Sequence, residues 1–425
     1  MTLELETVAE VIGDEPEPTP GPFTPETLPD TPELPPPGIY FGMPEELYHA
    51  LPALSSHGIR KLAGSPMLYW ASSTFLSDIA RKRREERLKK AEEKQHYTIG
   101  RAYHCRIMEG AEEFARRFAV DLSPEDCEGA LDHTDEIKAA IGRFQCESTL
   151  KKDPPGTMVP VKPWSKVPDT MPDGDEEFLR AAVKADWIKQ LQQLDPSAKI
   201  LDVLRRQHRE KNGGKMFISR EAFEQIEIAA RMVEHDPEVR HAFKDGYPEV
   251  VLIWNCARTG VPMKARVDYL KLKAIVDLKS IGNQRERSLE QAIRYEIAGY
   301  HYNVQPSVYV EGVEAVRELI RERKEQAIHR HYAGEEAEHE WALKWAAQSE
   351  TEWLWVFQQK GDAPVTRGVF YPLSGTTRML TDDIVLREKR RFRQFSETFG
   401  TDPWLDVRPI YDLADEDLPP SATEI

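Results

Sequence analysis

The chain has 425 residues, of which 31% are charged and 9% aromatic, and a formal charge of −16. That is room for one large or two modest domains, and no run reaches the roughly 18 apolar residues of a membrane span. Four scattered cysteines (Cys105, Cys127, Cys146, Cys256) with no CxxC pair speak against a disulfide framework, a zinc site or an iron–sulfur cluster, and suit a reducing cytoplasm.

The acidity is unevenly spread. Residues 1–37 hold nine acids, ten prolines and no Lys or Arg, and residues 412–425 hold five acids and no base, so the rest of the chain stands at only −2. Net charge therefore neither demands nor forbids a nucleic acid. The opening MTLELETVAE has neither the basic nor the apolar segment of a secretory leader, so a cytoplasmic protein is expected. Residues 1–37 read as a disordered, polyproline-like tail, either a partner-docking segment or a solubiliser.

From Gly38 the chain reads as globular. Ser55-Ser56 caps a helix through Ile59 and Leu62, and Ser65-Pro66 opens another through Tyr69 and Trp70. A charged helix is expected from Ser77 to Lys94; its Arg81-Lys82-Arg83-Arg84 run is a solvated face or a phosphate-contacting one. Thr98 to Gly110 (TIGRAYHCRIMEG) reads as a helix containing His104. Residues 120–176 look loop-rich, with a flexible insertion over 154–175. Helices return from Glu176 to Gln207, Ser219 caps a helix from Arg220 to His235, and Pro237 to Phe243 starts a short one. Strands follow: Glu249 to Ala257, then Met263 to Leu270 and Ala274 to Leu278 about a Lys-Leu-Lys turn. A helix from Leu289 to Tyr300 leads to an amphipathic run from Tyr302 to Tyr309, with a further strand over Val308 to Glu311. Residues 314–348 read as charged and helical, Trp353 to Gln359 and Val365 to Tyr371 as a hairpin about Gly361-Asp362, and Thr381 to Phe395 as the last helix.

The organising stretch is Val261 to Ser280, VPMKARVDYLKLKAIVDLKS. Side chains alternate faces along a strand, so Asp277 and Lys279 point to one side and Leu278 to the other. Asp268 closes the preceding strand. Two acids and a lysine on adjacent strands make a place for a divalent cation and a water, since Mg²⁺ takes one or two carboxylates with waters and substrate phosphate. That arrangement serves metal-assisted phosphodiester hydrolysis. Taken alone, an Asp-x-Lys is more often a charge pair that blunts a sheet edge. His301, His329, His331 and His339 lack a ligand frame and read as ordinary residues of a charged helical stretch.

The order of these segments (a helix with His104, strands with Glu249, Asp268, and Asp277 with Lys279, then Gln305 and Tyr309) resembles the PDDEXK nuclease superfamily and, within it, the RecE-like exonucleases of the exonuclease VIII type. The matching stretches are YHALPALSSHGIRKLAGSPMLYW (48–70), GRAYHCRIMEG, KARVDYL with IVDLKS, and YHYNVQPSVYVEG (300–312), in which Gln305 and Tyr309 form the Gln-x-x-x-Tyr element. The resemblance implies an α/β fold with a mixed central β-sheet flanked by helices and a helical N-terminal lobe. With the acidic tail over 1–37 set aside, it implies a nuclease domain over 38–410. That domain divides into a largely helical lobe at 38–245 with an insertion near 111–212, a core at 246–312, and an insertion, hairpin and helix at 313–410. A second acidic tail follows over 411–425.

It further implies Asp268, Asp277, the Leu278 carbonyl and His104 as ligands of Mg²⁺, with Mn²⁺ able to substitute. Glu249 is a less certain ligand, Lys279 would position the water, and Gln305 and Tyr309 would brace the site. The implied activity is digestion of double-stranded DNA ends from 5′ to 3′ in phage-type recombination. A ring-shaped homo-oligomer and a single-strand annealing recombinase as partner come with it. Cysteine spacing excludes the iron–sulfur branch of the superfamily, and the lack of a GxxxxGK[ST] loop excludes a complete helicase motor. An endonuclease of restriction or repair on the same fold, and a DNA-binding module with a vestigial site, are the alternatives.

Overall fold

The computed structural model describes residues 32–89, 95–150, 176–283, 287–331, 337–360 and 364–407. The acidic tails (apart from residues 32–37), the insertion at 154–175, the end of the charged helix at 90–94 and the hairpin tip at 361–363 lie outside the described residues.

In chain order, strand β1 (Gly38–Phe41) is followed by helices α1 (Glu45–Ala50), α2 (Ser56–Gly64), α3 (Pro66–Ser72) and α4 (Asp78–Lys89). Ser55 caps α2 as its sequence position demands, its hydroxyl accepting the Gly58 N–H at 3.2 Å. Helix α5 (Gln95–His104) runs into a π-helical turn, Cys105–Glu109, before α6 (Ala111–Arg117) and strand β2 (Phe118–Val120). Next come α7 (Thr134–Leu150), α8 (Glu176–Leu194), α9 (Leu201–Lys211), β3 (Met216–Ile218) and α10 (Arg220–His235), which Ser219 caps. The stretch expected to be loop-rich thus contains the helix α7. Residues 237–243 form turns and not the expected short helix.

The chain then lays down β4 (Gly246–Asn255), β5 (Pro262–Lys271), β6 (Ala274–Ile281), α11 (Leu289–Gly299) and α12 (Val304–Arg323). Strand β7 (Ile328–Arg330), α13 (Ala337–Ala346), β8 (Glu352–Gln359), β9 (Thr366–Phe370) and α14 (Thr376–Phe399) complete it. The strand expected over 308–311 is the middle of α12. Its valines favour β locally, but Val304, Val308, Gly312, Val316 and Ile320 recur every four residues and are all buried, so tertiary burial overrides propensity. The stretch expected to be helical after residue 314 breaks at β7, where His329 stacks on Tyr40 of β1 with ring centroids 4.4 Å apart.

The chain divides into two compact units, residues 94–230 and the remainder. In the first, β2 and β3 pair in parallel, and α7 and α8 enclose a small core of Ile137, Ile141 and Leu191. The second unit is built on a seven-stranded mixed sheet in the order β7-β1-β4-β5-β6-β8-β9, with two parallel pairs (β7–β1, β6–β8) and four antiparallel ones. One face packs under α12 and α14 against Trp254, Trp353, Trp355 and Phe357; Tyr40, Tyr48, Val251 and Ile253 pack on the other. Trp254 fills the notch at Gly312, where an added Cβ would come within 2.7 Å of its ring. Among the described residues no helix is long and apolar enough to cross a membrane.

Candidate active site

Strands β4, β5 and β6 do not keep strict alternation. On β5 the core under α12 takes Met263, Ala265 and Val267 and then Leu270; on β4 it takes Trp254, Leu252 and Val250 and then Tyr247. Inward and outward positions therefore slip by one at Asp268–Tyr269 and at Pro248–Glu249. The pairing passes from Pro248↔Tyr269 to Val250↔Val267, and Glu249 takes φ +54°, a left-handed conformation rare for a non-glycine residue. The register is the same on both sides of this point, one residue on each strand lying between the two pairs, so both strands kink together and their side chains are re-aimed with no residue inserted.

The consequence appears on β6. The β5–β6 pairing (Tyr269↔Val276, Leu270↔Ile275) ends one residue short of Asp268. There the Asp268 Oδ2 accepts the Leu278 backbone N–H at 3.0 Å. Asp277, only 1% exposed, lies on the face that α12 covers. Its Oδ1 accepts from Gln305 Nε2 at 2.5 Å, and its other oxygen forms an ion pair with Lys279. Asp277 and Lys279 thus share a side, as period-two alternation requires. Gln305 and Tyr309 stand one turn apart on α12. Tyr309 is buried beside Asp268 and Asp277, bonds to Gln305, and meets Trp353 edge-on with centroids 5.7 Å apart.

Burial raises the Asp268 carboxyl above its ordinary range, against the opposing pull of Lys279, the Leu278 N–H and Arg266. Burial works to lower Lys279, but Asp277 and Asp268 outweigh it and hold the ammonium above its ordinary value. Burial also pushes the Tyr309 phenol well up, with the neighbouring Tyr48, Asp268 and Asp277 adding to it. At neutral pH Lys279 is charged and Tyr309 is protonated.

The remaining sequence candidates are placed as follows. Glu249 faces Arg266, with its Oε2 2.5 Å from the guanidinium, and Glu45 of α1 approaches the same arginine at 3.6 Å. Leu278 is buried, its N–H spent on Asp268. His104 belongs to the other unit, where it ends α5 at the point at which the helix widens into its π turn; such turns are frequent at functional sites. Sequence reasoning missed Arg266 and Glu45, whose pairing spans separate elements, and Tyr302, whose ring lies 5.3 Å from Lys279 Nζ. The charge alternation Lys264, Arg266, Asp268 within VPMKARVDYL was the available signal.

The donor set suits a hard cation. The two carboxylates, Asp268 and Asp277, supply only oxygen, and Asp268 is buried with too little cationic compensation to hold its ordinary acidity. Among the described residues no three His, Cys, Asp or Glu side chains form a cluster.

Residues 197–329 match the family described as a PDDEXK-like domain of unknown function (DUF3799). The matched segment holds β4, β5, β6 and all of α12, hence Glu249, Asp268, Asp277, Lys279, Gln305 and Tyr309, and leaves out His104. The mixed sheet with flanking helices agrees with such a domain. No curated protein matches the chain. Among solved structures, one from Eubacterium rectale described as a "Putative exonuclease" is similar at 14% identity over 49% of this chain and 74% of that one, with a TM-score of 0.26. A superposition that poor says nothing of this chain's activity.

Proposed function

We propose that this protein is a metal-dependent nuclease that hydrolyses phosphodiester bonds of double-stranded DNA. The observation that supports it best is the Asp277 carboxylate clamped between the Gln305 amide and the Lys279 ammonium, beside Asp268 and inside a segment matching a PDDEXK-like domain. Asp268, Asp277 and the Leu278 carbonyl would hold Mg²⁺ or Mn²⁺, which when bound supplies Lewis acidity and lowers the pKa of a water.

The chain's own groups divide the remaining work. Gln305 fixes the rotamer of Asp277 through Oδ1, and the Leu278 N–H fixes Asp268 through Oδ2, so both carboxylates are oriented before any substrate arrives. Lys279 Nζ keeps its proton near neutrality. Paired with Asp277, it would neutralise charge developing on the phosphate and hold the attacking water. Tyr309 keeps its phenolic proton and braces Gln305.

The finer reading is an exonuclease that digests duplex ends from 5′ to 3′, in a phage-type recombination setting with an annealing recombinase and a ring-shaped oligomer. It rests on the sequence resemblance. The test is incubation of the purified chain with Mg²⁺ and either linear or covalently closed circular duplex. Loss of linear DNA with intact circles supports an exonuclease; cutting of closed circles makes it an endonuclease, and inertness on both leaves a binding module.

A further inference from the structure

An aromatic row runs from the candidate site to solvent. Lys279 Nζ lies 5.3 Å from the centroid of the Tyr302 ring, and Tyr302 stacks on Tyr300 with centroids 5.6 Å apart and an interplanar angle of 17°. Tyr302 is half-buried, whereas Tyr300 is 57% exposed.

The backbone that carries these two rings is fixed by hydrogen bonds. Helix α11 ends in a Schellman motif: the Tyr302 N–H reaches the Ile297 carbonyl at 3.0 Å and the His301 N–H reaches that of Ala298 at 3.3 Å. His301 occupies the left-handed position at φ +51° that glycine usually fills. From the outside, Arg60 Nη1 donates to the Tyr300 carbonyl at 2.6 Å. Further along, Arg287 lies over the exposed Tyr295 of α11, 4.1 Å from its centroid. Single exposed tyrosines are ordinary. A stacked pair that stands on a capped backbone, begins at the site's lysine and has Arg60 bonded to the Tyr300 carbonyl is built like the stacking platforms of strand-binding proteins.

We propose that Tyr300 and Tyr302 form a stacking subsite for one nucleobase of the DNA strand being cut, which positions that strand's phosphate beside Lys279. The inference rests on the nuclease reading and names how that site grips its substrate. Every base offers a π face, so the subsite tolerates any sequence while fixing the strand's position.

The test uses the full chain carrying Asp277→Asn, expected to bind without cutting, and DNA ends in which 2-aminopurine or an abasic nucleotide is walked past the cleavage position. At one or two positions 2-aminopurine fluorescence is quenched on binding. Tyr300→Ala and Tyr300→Leu lose the quench; Tyr300→Trp keeps it. At the same position the abasic lesion weakens binding roughly 5- to 150-fold in the tyrosine protein, and weakens Tyr300→Ala no further. Quenching that survives in Tyr300→Ala, binding rescued by Tyr300→Leu, or abasic and Tyr300 effects that multiply independently would each overturn the platform while native cleavage leaves the nuclease reading standing. A native chain that neither binds nor cuts DNA removes both.

Discussion

Gln305 Nε2 donates to Asp277 Oδ1 at 2.5 Å, joining the first turn of a buried helix to the middle of a strand 28 residues earlier. The bond closes the site, because the oxygen that does not face Gln305 is the one paired with Lys279. Gln305 follows Val304, the first residue of the buried ridge of α12, so the helix's packing sets where the amide meets the carboxylate.

Removing that amide costs orientation and spares the charge pair. Gln305→Ala is expected to slow DNA cleavage about 10- to 100-fold, the usual effect of losing a partner that orients a ligand. Gln305→Glu sets a like charge beside Asp277 and is expected to be slower still. Cleavage rates at saturating Mg²⁺ check this; a Gln305→Ala rate equal to wild type contradicts it.

The Asp277–Lys279 pair is buried, with side-chain exposures of 1% and 17%. Lys279→Met leaves the carboxylate buried and uncompensated, and should lower stability by about 3–5 kcal/mol. Adding Asp277→Asn to Lys279→Met should restore much of that stability without restoring cleavage. Denaturant titration of the single and double variants separates the two roles.

Packing at Gly312 predicts a coupling between core and site. Gly312→Ala drives a methyl group into the Trp254 ring, and overpacking of this kind costs about 1–3 kcal/mol. The lowered melting temperature should come with weaker cleavage, since α12 cannot shift without moving Gln305 and Tyr309. Melting and rate are measured on the same preparation.

A pH dependence follows from Lys264, whose Nζ donates to the Tyr48 and Leu51 carbonyls at 2.7 and 2.8 Å within the sheet's second core. Burial, with Arg84 adding to it, pulls this ammonium down to about 7. Between about pH 7 and the ordinary lysine value the unfolded chain carries a proton that the folded chain lacks, so stability rises with pH across that window and is level below it. The slope is at most about 1.4 kcal/mol per pH unit. Lys264→Met should remove this component, seen as a flatter difference in unfolding free energy between pH 7 and 10.

Strand alternation made one relationship legible in the sequence, Asp277 and Lys279 on the same side of β6. Gln305 and Tyr309 were singled out by the family resemblance and not by periodicity; the structure places them one turn apart on α12. The slip at Glu249 and Asp268 was not legible, because it comes from one residue's φ and from two strands bending together. The same valines that line the buried ridge of α12 suggested a strand at 308–311, a conflict that only packing settles. The place of β8 beside β6 depends on a chain crossover, and Tyr40 against His329 joins residues nearly three hundred positions apart, so neither leaves a local trace.

The most direct test of the two-carboxylate site is release of acid-soluble nucleotides from linear duplex DNA with Mg²⁺, by the native chain and by Asp268→Asn and Asp277→Asn. The native chain should release nucleotides with the metal and none with a chelator. Each variant, still folded, should fall by about a thousandfold, the scale of several kcal/mol of lost charge stabilisation. Release that persists in either variant, or that continues in chelator, would contradict the assignment.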